Sequence, residues 1–320
     1  MQAIALTEYG GPDVLAMTEV ADPLVGPDRV LVRVHAAGVN PVDWKVRAGD
    51  LRSWFQHHEP LVPGFDMAGV VEQVGPAVTR FAVGDEVMGN VREDHLQYGT
   101  YAQLVSAPER TLALKPTSAS FVEAAALPLA GLTALQVCQA AQVGPNDIVL
   151  VHNASGGVGH LAVQIAGSMG AAMVIGTTGE RNDDFVRSLG AHPLRYGSDL
   201  EDDVRDLLAR TPDLVGDDGR VDVALDFVGA PAGAQSERLV RQPDRHVTVI
   251  DPELVRRGGR YVFARPDGVA LGGLSAMFDS GALQVSIQDV LDLADAAKAH
   301  RILEDGHVRG KLVLRVDSSA

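Results

Sequence analysis

Two hydrophobic periods divide the chain. Up to about residue 120, apolar and polar positions alternate over short stretches, as in Val30–Ala36, Val70–Val74 and Glu86–Met88, the mark of half-buried strands. The N-terminal MQAIALTEYGG reads as a first strand. Breakers at Pro23, Gly26-Pro27, Pro41, Gly49, Pro63-Gly64, Gly75-Pro76, Gly84-Asp85 and Gly99 keep these runs short. Together they predict a compact, barrel-like domain of antiparallel strands. One interval breaks the alternation: Asp50–Glu59, with Trp54, Phe55, His57 and His58, reads as a polar-aromatic loop long enough to cover a cleft. Trp44 and Trp54 fit core packing as readily as a functional role.

Beyond residue 120 the period lengthens. Ser120–Ala130 and Leu132–Ala141 read as helices. Strands are then expected at Ile148–Val151, Met173–Thr177, Leu194–Tyr196, Val221–Val228, His246–Ile250 and Tyr261–Ala264. Helices are expected among them at Val158–Met169, Asp183–Leu189 and Leu200–Ala209. Such alternation predicts a doubly wound α/β parallel sheet of the Rossmann type. The tail mixes both patterns. Leu271–Leu283 and Val290–Glu304 look helical, whereas Gln284–Ile287 and Lys311–Val316 look like strands that return to the first domain.

The second half is centred on IVLVHNASGGVG, residues 148–159, where a buried strand runs through a small-residue turn into a helix. That is the context a dinucleotide fingerprint G-x-G-x-x-G requires, with Ala154, Gly156 and Gly159 at its three glycine positions. Gly156 admits a pyrophosphate to the backbone, Gly159 lets helix and strand pack closely, and the helix N-terminus favours an anion. Ser155, Gly157 and Val158 share the turn, and the Ser155 hydroxyl is expected to cap the helix or bond a phosphate. NAD-binding sites usually carry an acid about 20 residues beyond the motif. Here that place holds Gly176-Thr177-Thr178-Gly179, with no carboxylate until Glu180 and Arg181 next to it, which suits a 2′-phosphate and favours NADP(H). Tyr196 either closes the same pocket or packs as a strand residue. Phe227, Val228 and Phe263, in the fourth and sixth strands, complete the cofactor-binding candidates.

Composition narrows the classes. A formal charge of −15 over 320 residues argues against nucleic acid or an anionic membrane as partner. No apolar run approaches the ~18 residues of a membrane span, and the N-terminus is not a secretory signal. Cys138 is the only cysteine, which precludes an internal disulfide and makes the cytoplasm the expected compartment. It also precludes a structural zinc site built from four cysteines. His57 and His58, being adjacent, should point apart, so no metal is expected. Ser155 does not satisfy G-x-S-x-G and is not expected to be a nucleophile.

Seven segments in order carry a family resemblance: GVNPVDWKVRAG at 38–49, PGFDMAGVVEQVG at 63–75, FAVGDEVMG at 81–89, GTYAQ at 99–103, ALPLAGLTAL at 126–135, ASGGVGHLAVQIA at 154–166 and GHVRGKLVL at 306–314. Through them the chain resembles the zinc-independent quinone oxidoreductase branch of the medium-chain dehydrogenase/reductase superfamily. The resemblance implies a GroES-like β-barrel domain from residues 1–121 and 266–320, a Rossmann NADP-binding domain from 122–265, and an active-site cleft at their junction. It places Asn40 and Asp43 beside the nicotinamide as catalytic residues and Thr133 near the carboxamide. Ala154–Gly159 would hold the pyrophosphate, and Arg181, Tyr196 and Lys311 would serve the 2′-phosphate. Zinc-binding relatives have a cysteine near Asn40 and a His-Glu pair near Phe65-Asp66, and this chain has neither. A homodimer joined through the Tyr261–Ala264 edge is also implied.

The expected activity is NADPH-dependent hydride transfer to a quinone or α,β-unsaturated carbonyl, without zinc. Residues 50–59 and 90–98 would shape the substrate side. The proton would come from solvent or a hydroxyl: Tyr98 is a candidate, Tyr101 is expected to pack structurally, and Asp43 need not titrate. Two alternatives share the cofactor: a biosynthetic enoyl or ketone reductase acting on a polycyclic substrate, and a non-enzymatic NADPH-binding protein.

Overall fold

The computed structural model describes residues 1–211 and 219–316, which group into two compact units. One comprises Met1–Leu132 together with Pro266 onward, the other Thr133–Arg265. The first crossing falls inside the Pro128–Ala140 helix, later in the chain than the 121/122 boundary that the resemblance implies.

In the first unit a sheet runs in the order Ile287–Asp292, Lys311–Arg315, Arg29–Val39, Asp66–Val74, Glu86–Asn90 and Leu112–Leu114, with Leu104–Pro108 also paired to Arg29–Val39. Its pairs are antiparallel except the first, which is parallel. Period-two burial fixes the register. Val30, Val32 and Val34 point into one core with Met67, Val71, Val87 and Leu112, while the intervening Leu31, Arg33 and His35 stay outside it. The C-terminal strand does return to this unit, so Leu312 and Leu314 join Ala37 and Val39 in a second core.

The second unit is a six-stranded parallel sheet in the order His192–Arg195, Met173–Thr178, Ile148–Val151, Val223–Asp226, His246–Thr248 and Arg260–Tyr261. Ile148, Leu150, Met173 and Ile175 pack against Leu200, Val204 and Leu208 of the Leu200–Ala209 helix and against Leu239. The strand order reverses between Ile148–Val151 and Val223–Asp226. Ligands of doubly wound sheets gather at such a switch point.

Several expected elements need correction. Asp50–Glu59 is not one loop, because Gln56–Val62 is a strand paired in parallel with His95–Tyr98. Its pairing rests on backbone bonds, and the polar QHHEP run gives no hydrophobic alternation to reveal it. Trp54 is exposed and does not pack in a core, whereas Trp44 is half-buried. The Ser120–Ala130 helix is interrupted before Pro128, which starts a new helix at the position that tolerates proline. Val290–Glu304 divides into the strand Ile287–Asp292 and the helix Ala296–Asp305, and Gln284–Ser286 are not in a strand. Sheet edges tolerate charge on the solvent side, and Gln288 and Asp289 masked this strand. Strands in the second unit end early, leaving Tyr196, Phe227, Val228 and Phe263 just beyond them. Among the described residues no helix is long and apolar enough to cross a membrane.

Candidate functional site

The turn after Ile148–Val151 is built by its neighbour strand. Thr177 receives two bonds from it, Asn153 N–H to Oγ1 at 3.1 Å and Ala154 N–H to the carbonyl at 3.0 Å. Asn153 takes a left-handed φ of 54°, reversing the chain. A Cβ on Gly159 would collide with the Asn153 carbonyl, and one on Gly156 would lie 2.5 Å from the Asn153 side chain. Position 159 therefore requires glycine, whereas at 156 a methyl would have to displace the Asn153 side chain. Ala154 is tolerated in the first glycine position for a specific reason: a Cβ on Gly176 would stand 2.6 Å from the Ala154 methyl. The missing side chain on one strand makes room for the methyl on the next.

The helix Gly159–Ser168 begins without a side-chain cap. Ser155 is therefore not the cap anticipated from its position. Its hydroxyl instead receives bonds from Thr178 Oγ1 and Asn182 Nδ2, each at 3.2 Å. Among the described residues, the N–H groups of Gly157, Val158 and Gly159 have no hydrogen-bond partner. Three free amides at a helix start beside a glycine turn form a cradle for an anion, the geometry a dinucleotide pyrophosphate needs.

The other candidates divide by depth. Thr177 and Thr178 are buried, with hydroxyls serving the turn. Arg181 and Tyr196 are exposed, and the Tyr196 ring lies 3.9 Å from where a Cβ on Gly179 would be. Thr133 is buried on the Pro128–Ala140 helix. Phe227 is half-buried, and Val228 and Phe263 are exposed. Asp226 was not anticipated: its buried carboxylate accepts from the N–H groups of Val228 and Gly229, both at 2.9 Å, and from Thr248 Oγ1 at 3.0 Å. It fixes the turn that presents Val228.

In the first unit Asn40 precedes the helix Pro41–Ala48, in extended conformation at φ −132°, ψ 153°. Its backbone N–H donates to Asp43 Oδ2 at 2.8 Å, and Asp43 sits one turn into the helix. Its side chain reaches two other strands. Nδ2 donates to Asp66 Oδ2 at 2.9 Å, while Oδ1 accepts from the Lys311 ammonium. Asp66 Oδ1 accepts from Leu129 N–H at 2.9 Å, and Lys311 also donates to Val39 O at 2.9 Å.

Lys311 needs correction as a cofactor contact. It is 4% exposed, with its ammonium turned inward to Asn40 and Val39, so it is not an accessible partner for a phosphate.

Asp43 Oδ2 also accepts from Tyr101 Oη at 3.1 Å, and Tyr101 Oη meets His300 Nε2 at 3.3 Å. Arg47 Nη1 stands 3.5 Å from His300 Nδ1, and its Nη2 donates to Glu304 at 2.6 Å. Tyr101 does pack in the core, but its hydroxyl also belongs to this chain. His300, Arg47, Glu304 and the bonded Asp66 escaped sequence reasoning, because their partners lie tens to hundreds of positions away.

Burial dominates the electrostatics here. Desolvation, reinforced by the Asp66 charge, pushes Asp43 up to about 7 against the pull of Asn40 N–H, Lys311 and Tyr101. Desolvation likewise raises Asp66 to about 6 and lowers Lys311, and burial with the nearby Arg47 lowers His300 to about 3. A cavity of about 590 Å³ opens within this unit, lined among others by Asp43, Phe65, His58, His95 and Tyr98. Among the described residues, no three or more His, Cys, Asp or Glu side chains are grouped to hold a metal ion.

Comparison with known proteins agrees with both halves. Residues 26–117 match the family model of the alcohol dehydrogenase GroES-like domain, and residues 202–314 match that of zinc-binding dehydrogenase. The chain is 33% identical to a 2-methylene-furan-3-one reductase of Solanum lycopersicum and 34% identical to a chloroplastic NADPH-dependent alkenal/one oxidoreductase of Arabidopsis thaliana. Each match spans 98% of this chain and 79% of the relative. The solved quinone oxidoreductase of Coxiella burnetii superposes with a TM-score of 0.85 at 34% identity, covering 99% of both chains.

Proposed function

Because this chain belongs to the quinone oxidoreductase branch of the medium-chain dehydrogenase/reductase superfamily, we propose that it is an NADPH-dependent oxidoreductase that reduces a quinone or α,β-unsaturated carbonyl without zinc. The observation that carries this function is near-complete coverage by alkenone- and quinone-reducing relatives, together with an intact strand–turn–helix nucleotide cradle. When bound, the dihydronicotinamide supplies a hydride. The chain's residues bind and orient.

The free amides of Gly157–Gly159 would meet the pyrophosphate. Support for NADP(H) over NAD(H) is electrostatic. The Met173–Thr178 strand ends in two hydroxyl side chains rather than a carboxylate, the first acid being Glu180 beside Arg181. Arg181, exposed nearby, is chemically suited to a phosphate. Asn40 has committed one amide hydrogen to Asp66, which leaves its other amide hydrogen outside that bond.

The residues do not fit zinc. Asp66, in the region where zinc-binding relatives carry ligands, has both oxygens taken by Asn40 and Leu129. Without a Lewis acid, substrates already polarised by conjugation are the suitable class. Among the described residues the Arg260–Tyr261 strand is the last of its sheet, and Val262 and Phe263 follow it without charge. Such an edge favours pairing with a second copy, supporting a homodimer.

Steady-state oxidation of NADPH and NADH, each with panels of quinones, enones and ketones, tests the function. We expect turnover of quinones or enones with NADPH preferred. Absence of turnover with every quinone and enone would refute it.

A further inference from the structure

The ribbon of Gln56–Val62 and His95–Tyr98 has two faces. On one, Leu96 is buried in a core and the half-buried His57 meets Tyr9 Oη through Nδ1 at 2.7 Å. The other carries the residues of opposite parity, among them His58 and His95. Both are exposed and both line the 590 Å³ cavity, with His58 Nε2 only 3.3 Å from His95 Nδ1. Adjacency sends His57 and His58 to opposite faces, but it does not govern His58 and His95, which are 37 positions apart. A neutral imidazole has one N–H and one bare nitrogen, so the pair shares a single hydrogen. The rings are within 15° of parallel with centroids 5.6 Å apart, which puts the two facing nitrogens nearly on the line between them.

We propose that His58 Nε2 and His95 Nδ1 form a bidentate site for an exchangeable zinc ion in the cavity wall, where the ion obstructs the cavity. That it obstructs a substrate rests on the function proposed above; the binding of the metal does not. The spacing selects the metal. Nitrogens 3.3 Å apart, each about 2.0–2.1 Å from a common ion, subtend about 104–111° at it, the tetrahedral angle of zinc. The right angle of square-planar copper would bring them to about 2.9 Å. Each ring must turn by about 35° to aim its lone pair at the ion, which the broad second torsion of histidine permits in an exposed side chain. The shared hydrogen passes through water to the far nitrogen of its own ring, so no net proton is released.

Among the described residues no third His, Cys, Asp or Glu joins the pair. Water therefore completes the shell, unlike a structural zinc closed by four side chains. Neighbouring guanidinium groups are paired and do not repel a cation: Arg29 bonds Glu93 at 2.9 Å, and Arg92 lies 3.4 Å from Asp94. The site involves neither Asn40 nor Asp66, so it is no substitute for the zinc of metal-dependent relatives.

Calorimetric titration of zinc chloride into the cofactor-free full-length protein, followed by nitrogen-15 spectra of its histidine rings, tests the site. We expect one saturable zinc per chain, with His58 Nε2 and His95 Nδ1 as the resonances that move. His58→Asn and His95→Asn should each weaken binding by at least about ten-fold, since losing even a group behind a ligand costs about that much. His192→Asn, which removes an exposed histidine of the other unit, should leave it unchanged. Absence of saturable binding in the wild type, undiminished affinity in either pair variant, or movement of other histidine nitrogens instead would each overturn the proposal. The wild-type arm needs no variant to fold. With NADPH and a quinone or enone that the protein reduces, zinc should raise KM and leave kcat unchanged, and His95→Asn should remove that effect. An unchanged KM at saturating zinc would overturn the obstruction. Failed turnover with every quinone and enone alongside intact zinc binding would refute the proposed function and leave the metal site standing.

Discussion

The nucleotide turn and the Asn40–Asp43–Asp66–Lys311 network solve opposite problems. The turn leaves backbone amides free and keeps side chains away from them: glycine at 156 and 159, and an alanine methyl matched to Gly176. The network saturates its side chains until, among the described residues, Asp43 Oδ1 is left without a partner. The first is a local backbone device, and almost any side chain in the wrong place spoils it. The second is a long-range charge device, and removing one member exposes the others.

That contrast sets the order of expected effects. Lys311→Met should be the most damaging, costing about 3–5 kcal/mol in denaturant unfolding, because it strands buried carboxylates. Adding Asp66→Asn should recover part of the loss. Full additivity would show that the two do not interact. Gly159→Ala should cost about 1–3 kcal/mol through collision with the Asn153 carbonyl, and should weaken NADPH and NADH binding together. Arg181→Ala should leave stability unchanged and weaken NADPH binding by roughly 1.5–3 kcal/mol in calorimetry. Equal loss for NADH would remove Arg181 from the 2′-phosphate site.

The smallest expected difference is in pH response, and it has opposite signs in the two regions. Burial raises Asp43 to about 7 and Asp66 to about 6, so their contribution to stability is complete below the ordinary carboxylate range and is lost as pH rises through those values. In the second unit burial lowers His152, bonded to Ser236 at 2.7 Å, to about 4. Its contribution is present above the ordinary imidazole value and lost as pH falls towards 4. Melting curves should therefore show Asp43→Asn gaining on the wild type with rising pH and His152→Gln gaining with falling pH. The same slope in both variants would contradict the assignment.

Legibility follows the same division. Ile148–Val151 and Leu200–Ala209 are legible to the residue, because buried aliphatics and amphipathic spacing are written locally. The glycine turn is legible for the same reason, even with alanine in place of its first glycine. Gln56–Val62 is hidden because its pairing with His95–Tyr98 leaves no hydrophobic period. Lys311 is visible as a cation near a family motif, but its inward orientation depends on Val39 and Asn40, more than 270 positions earlier. His300 carries no signal of its own, since its role exists only through Tyr101 and Arg47. Pairing of buried polar groups across a fold is the part that periodicity does not encode.

Isotope transfer tests the central claim most directly. NADPH carrying deuterium at both C4 positions of the dihydronicotinamide, incubated with the protein and cyclohex-2-enone, should yield cyclohexanone carrying one deuterium on the carbon β to the carbonyl. Unlabelled product, label released to water, or no product at all would contradict hydride transfer by this chain.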